Sequence, residues 1–213
     1  MHFRDRSEAG RMLAGRLTHL AGADPVVVAL PRGGLPVAVE IAAELAAPLD
    51  VIVVRKVGVP YRPELAAGAV GEDGVTVRNA PVLHESGLSW EDLHDVVERE
   101  RAEVSRRAGT LRPDRPRTDL ADRTVIIVDD GVATGSTVVA AVRVARQLGA
   151  RRIVLAVPVA PADVAAKLAG IVDEVICLQT PVPFQAVGQW FRNFRQLTDD
   201  EARDFLRSHD AHA

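Results

Sequence analysis

The sequence holds a single cysteine, Cys177, among its 213 residues, so no disulfide can form within the chain. The Val-Ile-Cys-Leu run around it reads as a buried, unreactive thiol, and a reducing compartment is the expectation. No uncharged apolar stretch approaches membrane-spanning length, and the first residues, Met-His-Phe-Arg-Asp-Arg-Ser-Glu, carry charge where a secretory signal needs an apolar core. A cytoplasmic protein without membrane contact is expected. Positive charge is not in excess: the formal net charge of −3 argues against a nucleic-acid protein held by phosphate contacts. The arginine-rich pieces at 98–107 and 112–117 are interleaved with acids and prolines, and read as a solvated helix face and a linker. There is no His/Cys cluster at transition-metal spacing, no repeat and no low-complexity segment. Aromatic residues make up only 4 % of the chain, so where they gather is informative.

What is present is an alternation of short apolar runs with helical patterns. Residues 7–20 carry apolar positions at helical spacing and predict a helix packed on a sheet edge. Apolar runs at 26–30 and 49–54 flank a helix over 35–46 that opens with Pro36, a β-α-β unit with a right-handed crossover. The same logic returns in strand 124–128, helix 136–148 ended by Gly149, strand 153–157, helix 161–169 and strand 174–178. An α/β fold with a mostly parallel, helix-flanked sheet follows, as one domain over 1–213. Residues 56–123 interrupt the alternation. They hold a hairpin signal at Gly71-Glu72-Asp73-Gly74, a charged helix opened by Ser89 and Asp92 with an apolar stripe at Leu93, Val96, Val97 and Val104, and a Pro-containing linker at 109–119. Residues 179–213 form a hood and a short terminal helix opened by Thr198 and Glu201, with 209–213 expected to be disordered.

The most informative stretch is 125–137, Val-Ile-Ile-Val-Asp-Asp-Gly-Val-Ala-Thr-Gly-Ser-Thr. A buried strand ends in two adjacent carboxylates, and a small-residue turn then opens a helix. Ala133, Thr134, Gly135, Ser136 and Thr137 are small or hydroxylated, so backbone N–H groups and hydroxyls can converge on a phosphate at the helix start. Asp129 and Asp130 lie where carboxylates can accept hydrogen bonds from a diol or hold a hydrated divalent cation. A sugar phosphate satisfies both halves. After strand 26–30 comes Pro31-Arg32-Gly33-Gly34. Its two glycines let main-chain N–H groups approach a ligand closely and Arg32 adds a fixed positive charge, which suggests a pyrophosphate.

Residues 125–137 closely resemble the 5-phosphoribosyl-1-pyrophosphate (PRPP) signature of the type I phosphoribosyltransferases, four apolar residues, two acidic residues and a Thr-Gly turn. The resemblance implies that Asp129 and Asp130 face the ribose hydroxyls and bind Mg²⁺, directly or through water. It implies too that residues 133–137 wrap the 5′-phosphate. It makes Arg32, Gly33 and Gly34 the pyrophosphate loop, with a non-proline cis peptide expected near Arg32–Gly33. It makes 56–67 a flexible catalytic loop, in which Lys56 and Arg62 are the candidate cations for the leaving group and Glu64 a candidate to orient one of them. The implied activity is transfer of a phosphoribosyl group from Mg²⁺–PRPP to a nitrogen of a planar acceptor, and a homodimer is the expected assembly. A regulator that senses PRPP or a nucleotide without turnover is the alternative, and hydrolysis or phosphorolysis of a nucleotide-like compound is a further one. Hypoxanthine-guanine members place an acid before the Thr-Gly pair, where this chain has Ala133, closer to the adenine enzymes. The hood gathers Phe184, Trp190, Phe191 and Phe194, and Trp190 is the candidate to stack on the acceptor.

Overall fold

The computed structural model describes residues 2–113 and 116–210. The chain begins with α1 (Arg6–Leu17), β1 (Pro25–Ala29), α2 (Leu35–Leu45) and β2 (Leu49–Val51). An insertion follows, made of β3 (Val54–Val59), β4 (Arg62–Gly71), β5 (Thr76–Arg78), α3 (Ala80–Ser86) and α4 (His94–Leu111). The chain then returns with β6 (Thr124–Val128), α5 (Ser136–Gln147), β7 (Arg152–Val159), α6 (Ala162–Ala169), β8 (Glu174–Gln179) and α7 (Asp199–Asp210).

β1, β2, β6, β7 and β8 form one parallel sheet in the order β2-β1-β6-β7-β8, flanked by helices as the apolar runs required. Alternate residues point to opposite faces. Val27, Ala29, Ile126, Val128 and Val154 join the cluster under α1 and α2. Val26, Val28, Val125, Ile127 and Ile153 join the one under α5 and α6. All five residues of β1 and of β6 are buried, so these strands are apolar throughout rather than alternating.

Asp5 caps α1 by accepting the Glu8 N–H at 2.8 Å. α1 packs over β7 and the edge strand β8, as expected. It crosses against α2 so closely that a Cβ on Gly10 would lie 2.7 Å from the Val37 carbonyl oxygen. The second parallel strand stops at Val51 rather than 54, because the Val53 N–H is taken by the Glu72 carboxylate at 3.0 Å and the chain turns away. β3, β4 and β5 make a separate antiparallel sheet, with Val70 opposite Thr76 across the Gly71–Gly74 turn. Residues 56–67 are thus a β3–β4 hairpin rather than a loop.

Ser89 and Asp92 form the expected reciprocal cap: the Ser89 N–H donates to the Asp92 carboxylate at 2.8 Å and the Asp92 N–H to Ser89 Oγ at 3.2 Å. α4 buries Val97, Val104 and Leu111 against β3, β4 and α7. Part of the expected linker is pinned rather than loose. Arg112 is buried, ion-paired to Asp50 at 3.2 Å and also to Glu72. The Thr118 N–H donates to Asp50 at 2.6 Å, and residues 114 and 115 lie outside the described residues. At the far end, Thr198 and Glu201 cap α7, which docks Ala202 and Leu206 into the core. His209 is buried, its ring nitrogen 3.0 Å from the Ala47 carbonyl oxygen; residues 211–213 lie outside the described residues. No helix among the described residues is long and apolar enough to cross a membrane.

Candidate functional site

β1 and β6 are neighbours in the sheet although they stand far apart in sequence (Ala29 pairs with Val128), and the chain leaves β1 toward β2 on one side and β6 toward β7 on the other. A crevice opens outside the carboxyl ends of strands at such a switch point. Here it receives Pro31-Arg32-Gly33-Gly34 from β1 and 129–137 from β6.

The two loops touch. A Cβ on Gly33 would fall inside the Asp130 carboxylate, and one on Gly34 would lie 2.5 Å from the Val128 carbonyl oxygen, so neither position admits a side chain. The first loop has a cis peptide at Pro31–Arg32, one bond earlier than expected. In the second, Gly135 takes a left-handed φ of 78° as the residue before α5, and no side chain caps the helix. The first-turn N–H groups of α5 are therefore available to an anion. Thr134 and Thr137 are exposed, Ser136 half-buried, and the Thr134 and Ser136 hydroxyls stand 3.3 Å apart.

The adjacent carboxylates differ in surroundings. Asp130 is clamped by Arg6 of α1, Nε and a terminal guanidinium nitrogen each 2.8 Å from Oδ2. Arg6 also donates to the Arg195 carbonyl oxygen at 3.0 Å and lies 3.9 Å over the Phe194 ring. Asp129 accepts only the Asp130 N–H, at 2.9 Å, among the described residues. Burial pushes the Asp129 carboxyl well above the usual carboxylate range, and the neighbouring Asp130 charge pushes it further. Burial raises Asp130 as well, while Arg6 pulls it back. Cys177 is half-buried, its thiol pushed up by burial and donating to the Gln179 carbonyl oxygen, consistent with an unreactive group.

Two hollows flank this junction. One, of about 490 Å³, runs beneath the β3–β4 hairpin between Lys56, Arg55, Arg107 and Thr137. The other, of about 520 Å³, is lined by Arg6, Arg32, Gly33, Asp130, Phe194 and Gln196. Lys56 thus faces the phosphate turn. Arg62 does not: it is exposed near the hairpin tip and lines a separate hollow with Tyr61 and Glu85. The side chain of Glu64 lies outside the described residues. Trp190 does not line either hollow. Its ring stacks on His2 at 5.6 Å and packs beside Phe3 and Phe191, because the N-terminal segment pairs with the hood through the Phe3–Phe191 bridge. The aromatic that reaches the site is Phe194. Arg32 is 3.4 Å from Asp199 at the start of α7.

Arg6 and Arg107 carry no mark of a site in the sequence, and Gln196 enters it only as the end of the hood segment 181–196. No local pattern marks Arg6, whose partner lies 124 residues away, and Arg107 sits in a charge-rich helix that reads as solvated. Among the described residues no group of three or more His, Cys, Asp or Glu is arranged to hold a metal ion.

The phosphoribosyl transferase domain pattern matches residues 6–189. Two curated proteins of Mycobacterium tuberculosis, from strains CDC 1551 and H37Rv, provisionally named phosphoribosyl transferases, are 53 % identical over 208 residues. The match takes in 97 % of this chain and 47 % of theirs, so the chain spans about half the length of these relatives. The crystal structure of TT1426 from Thermus thermophilus is 42 % identical, with a TM-score of 0.91, covering 98 % of this chain and 99 % of that one.

Proposed function

The chain belongs to the phosphoribosyltransferase family, and on that premise we propose that it binds Mg²⁺–PRPP at the β1/β6 junction and transfers the phosphoribosyl group to a nitrogen of a planar acceptor. The bond from the ribosyl C1 to the pyrophosphate oxygen breaks, the bond from C1 to the acceptor nitrogen forms, and the acceptor's proton leaves to solvent. The observation that carries the reading is the contact between the two loops, where Gly33 has no room for a side chain because the Asp130 carboxylate occupies it. This closeness puts an anion cradle, a diol acceptor and a second anion loop within the span of one sugar pyrophosphate.

The α5 N-terminus and the hydroxyls of Thr134, Ser136 and Thr137 hold the 5′-phosphate. Asp129 and Asp130 orient the ribose, and Arg6 fixes the direction of Asp130. Arg32 and the N–H groups of the 31–34 loop stabilise charge gathering on the leaving group, with Lys56 adding a cation from the hairpin. Asp130 lines the hollow with Asp129 beside it, and the two would hold Mg²⁺, directly or through water, where it would neutralise pyrophosphate charge. The acceptor lies toward Phe194, Gln196 and Leu197, beyond residue 189 where the family match ends. Ala133 offers no proton exchange to a 6-oxopurine.

Calorimetric titration with Mg²⁺–PRPP and a panel of planar nitrogen heterocycles, followed by pyrophosphate release, tests the proposal. Binding by the native chain, loss of binding in the Asp129→Asn, Asp130→Asn double variant, and turnover with at least one heterocycle but poor turnover with hypoxanthine and guanine are expected. Equal PRPP affinity in the double variant would sink the site assignment. Tight binding with no release across the panel would favour a sensor.

A further inference from the structure

We propose that Arg107 of α4 binds the leaving pyrophosphate, closing the anion site opposite the 31–34 loop, an inference that rests on the phosphoribosyltransferase reading. The two hollows meet at one place, and among the described residues only Pro31 and Arg107 line both. Pro31 opens the pyrophosphate loop. On one side of the join lie Lys56 and Thr137, on the other Arg32, Gly33 and Asp130. A ligand whose 5′-phosphate sits at the α5 N-terminus and whose diol meets Asp130 has its pyrophosphate at that join, with loop N–H groups on one flank and the Arg107 guanidinium on the other.

The side chain is prepared for this. Glu103, one turn back on α4, accepts the Arg107 Nε–H at 2.6 Å, and among the described residues the two terminal nitrogens donate no hydrogen bond. A guanidinium held at Nε presents its terminal donors as a fork suited to phosphate oxygens. α4 is anchored by the buried Val97, Val104 and Leu111, and β3 is tied to it by Arg55–Glu100 at 2.8 Å. Arg107 thus acts from a rigid element, where a mobile loop would first have to be ordered. Arg106 shares the same Glu103, at 2.8 Å, but lines neither hollow, which makes it the natural control.

The test is calorimetric titration of the full chain with Mg²⁺–pyrophosphate and, separately, with ribose 5-phosphate. Arg107→Gln should weaken pyrophosphate binding at least about tenfold, the scale of a lost charge-assisted hydrogen bond, and leave ribose 5-phosphate affinity unchanged. Arg106→Gln should change neither. Arg107→Lys, which keeps the charge and loses the fork, should fall between. Should Arg107→Gln fail to fold, Arg107→Lys decides alone, and pyrophosphate affinity equal to the native chain's overturns the inference. Native-strength pyrophosphate binding in a folded Arg107→Gln overturns it while leaving the family reading intact. A native chain that binds neither probe removes both.

Discussion

The parallel sheet and the insertion that overhangs it share an apolar core but differ in how much ion pairing adds to it. In β6 every residue is buried, and the sheet coheres through apolar area removed from water, which has no preferred direction. In β3 only Val57 and Val59 of six residues are buried, and the insertion adds to its apolar contacts at Val97, Val104 and Leu111 a set of ion pairs. These are Arg55 with Glu100 at 2.8 Å, Arg117 with Asp73 at 3.1 Å, and Arg112 with Asp50 and Glu72. Apolar packing sets two backbone loops side by side and fixes their spacing. Directional ionic contacts then position cations over those loops, and the candidate site lies where the two regimes meet.

The largest expected effect comes from cutting the buried tether. Arg112→Ala takes the guanidinium away from Asp50 and Glu72, 1 % and 8 % exposed, and should cost about 3–5 kcal/mol. Hydrogen exchange should show the amides of β3, β4 and α4 losing protection before those of β1 and β6. Uniform loss over both regions would mean that they unfold as one unit and that the contrast in forces has no thermodynamic counterpart.

Trp190→Ala tests the aromatic side of the same contrast. Removing a half-buried indole from its stack on His2 should lower stability by about 2 kcal/mol in thermal unfolding while leaving PRPP affinity and the acceptor KM unchanged. A raised acceptor KM would return Trp190 to the site. Trp190→Phe, which deletes a buried indole N–H that has no partner, should be close to neutral.

Asp129→Asn should act in the opposite direction on stability. With its pKa raised by burial, Asp129 holds a proton more tightly in the folded chain than in the unfolded one. Its contribution therefore favours folding at acid pH and is lost as pH rises from the usual carboxylate range through the raised value. Asparagine carries no such cost, so the variant should be about 1 kcal/mol more stable at neutral pH, and the advantage should vanish at acid pH. An advantage that is independent of pH would remove the ionisation argument.

Arg62→Ala should have the smallest effect, less than about 0.5 kcal/mol on stability and less than about twofold on turnover, because the side chain is exposed and lines a different hollow. A large fall in kcat with unchanged PRPP affinity would show that the hairpin bends to carry Arg62 to the leaving group. The insertion would then be a moving element rather than a fixed roof.

The apolar strands, the helices between them and the Asp-Asp turn are legible because each depends on residues close in sequence: an unbroken Val-Ile run, a Gly at positive φ before a helix, a Thr and Glu three apart. The β3–β4 hairpin stands where the resemblance implies a flexible loop, and its partly buried strands carry no clear alternation that would mark them in the sequence. Trp190 was read as a ligand contact because an aromatic cluster has no local mark that separates packing from binding; its stack on His2 at 5.6 Å belongs to a pairing across almost the whole chain. Arg112, in a proline-flanked charged stretch, looked solvated until Asp50 and Glu72 closed around it.

Sequence alone therefore determined the parallel sheet and the chemistry of each loop, since strand burial, helix capping and the conformational freedom of Gly135 act over a few residues. Tertiary structure alone decided that the two loops touch, that Arg6 clamps Asp130 across 124 residues, and that Arg107 rather than Arg62 overlooks the junction. A charged side chain works at a distance set in space, and no spacing along the chain encodes which carboxylate or loop will stand within about 3 Å of a guanidinium once the strands have paired.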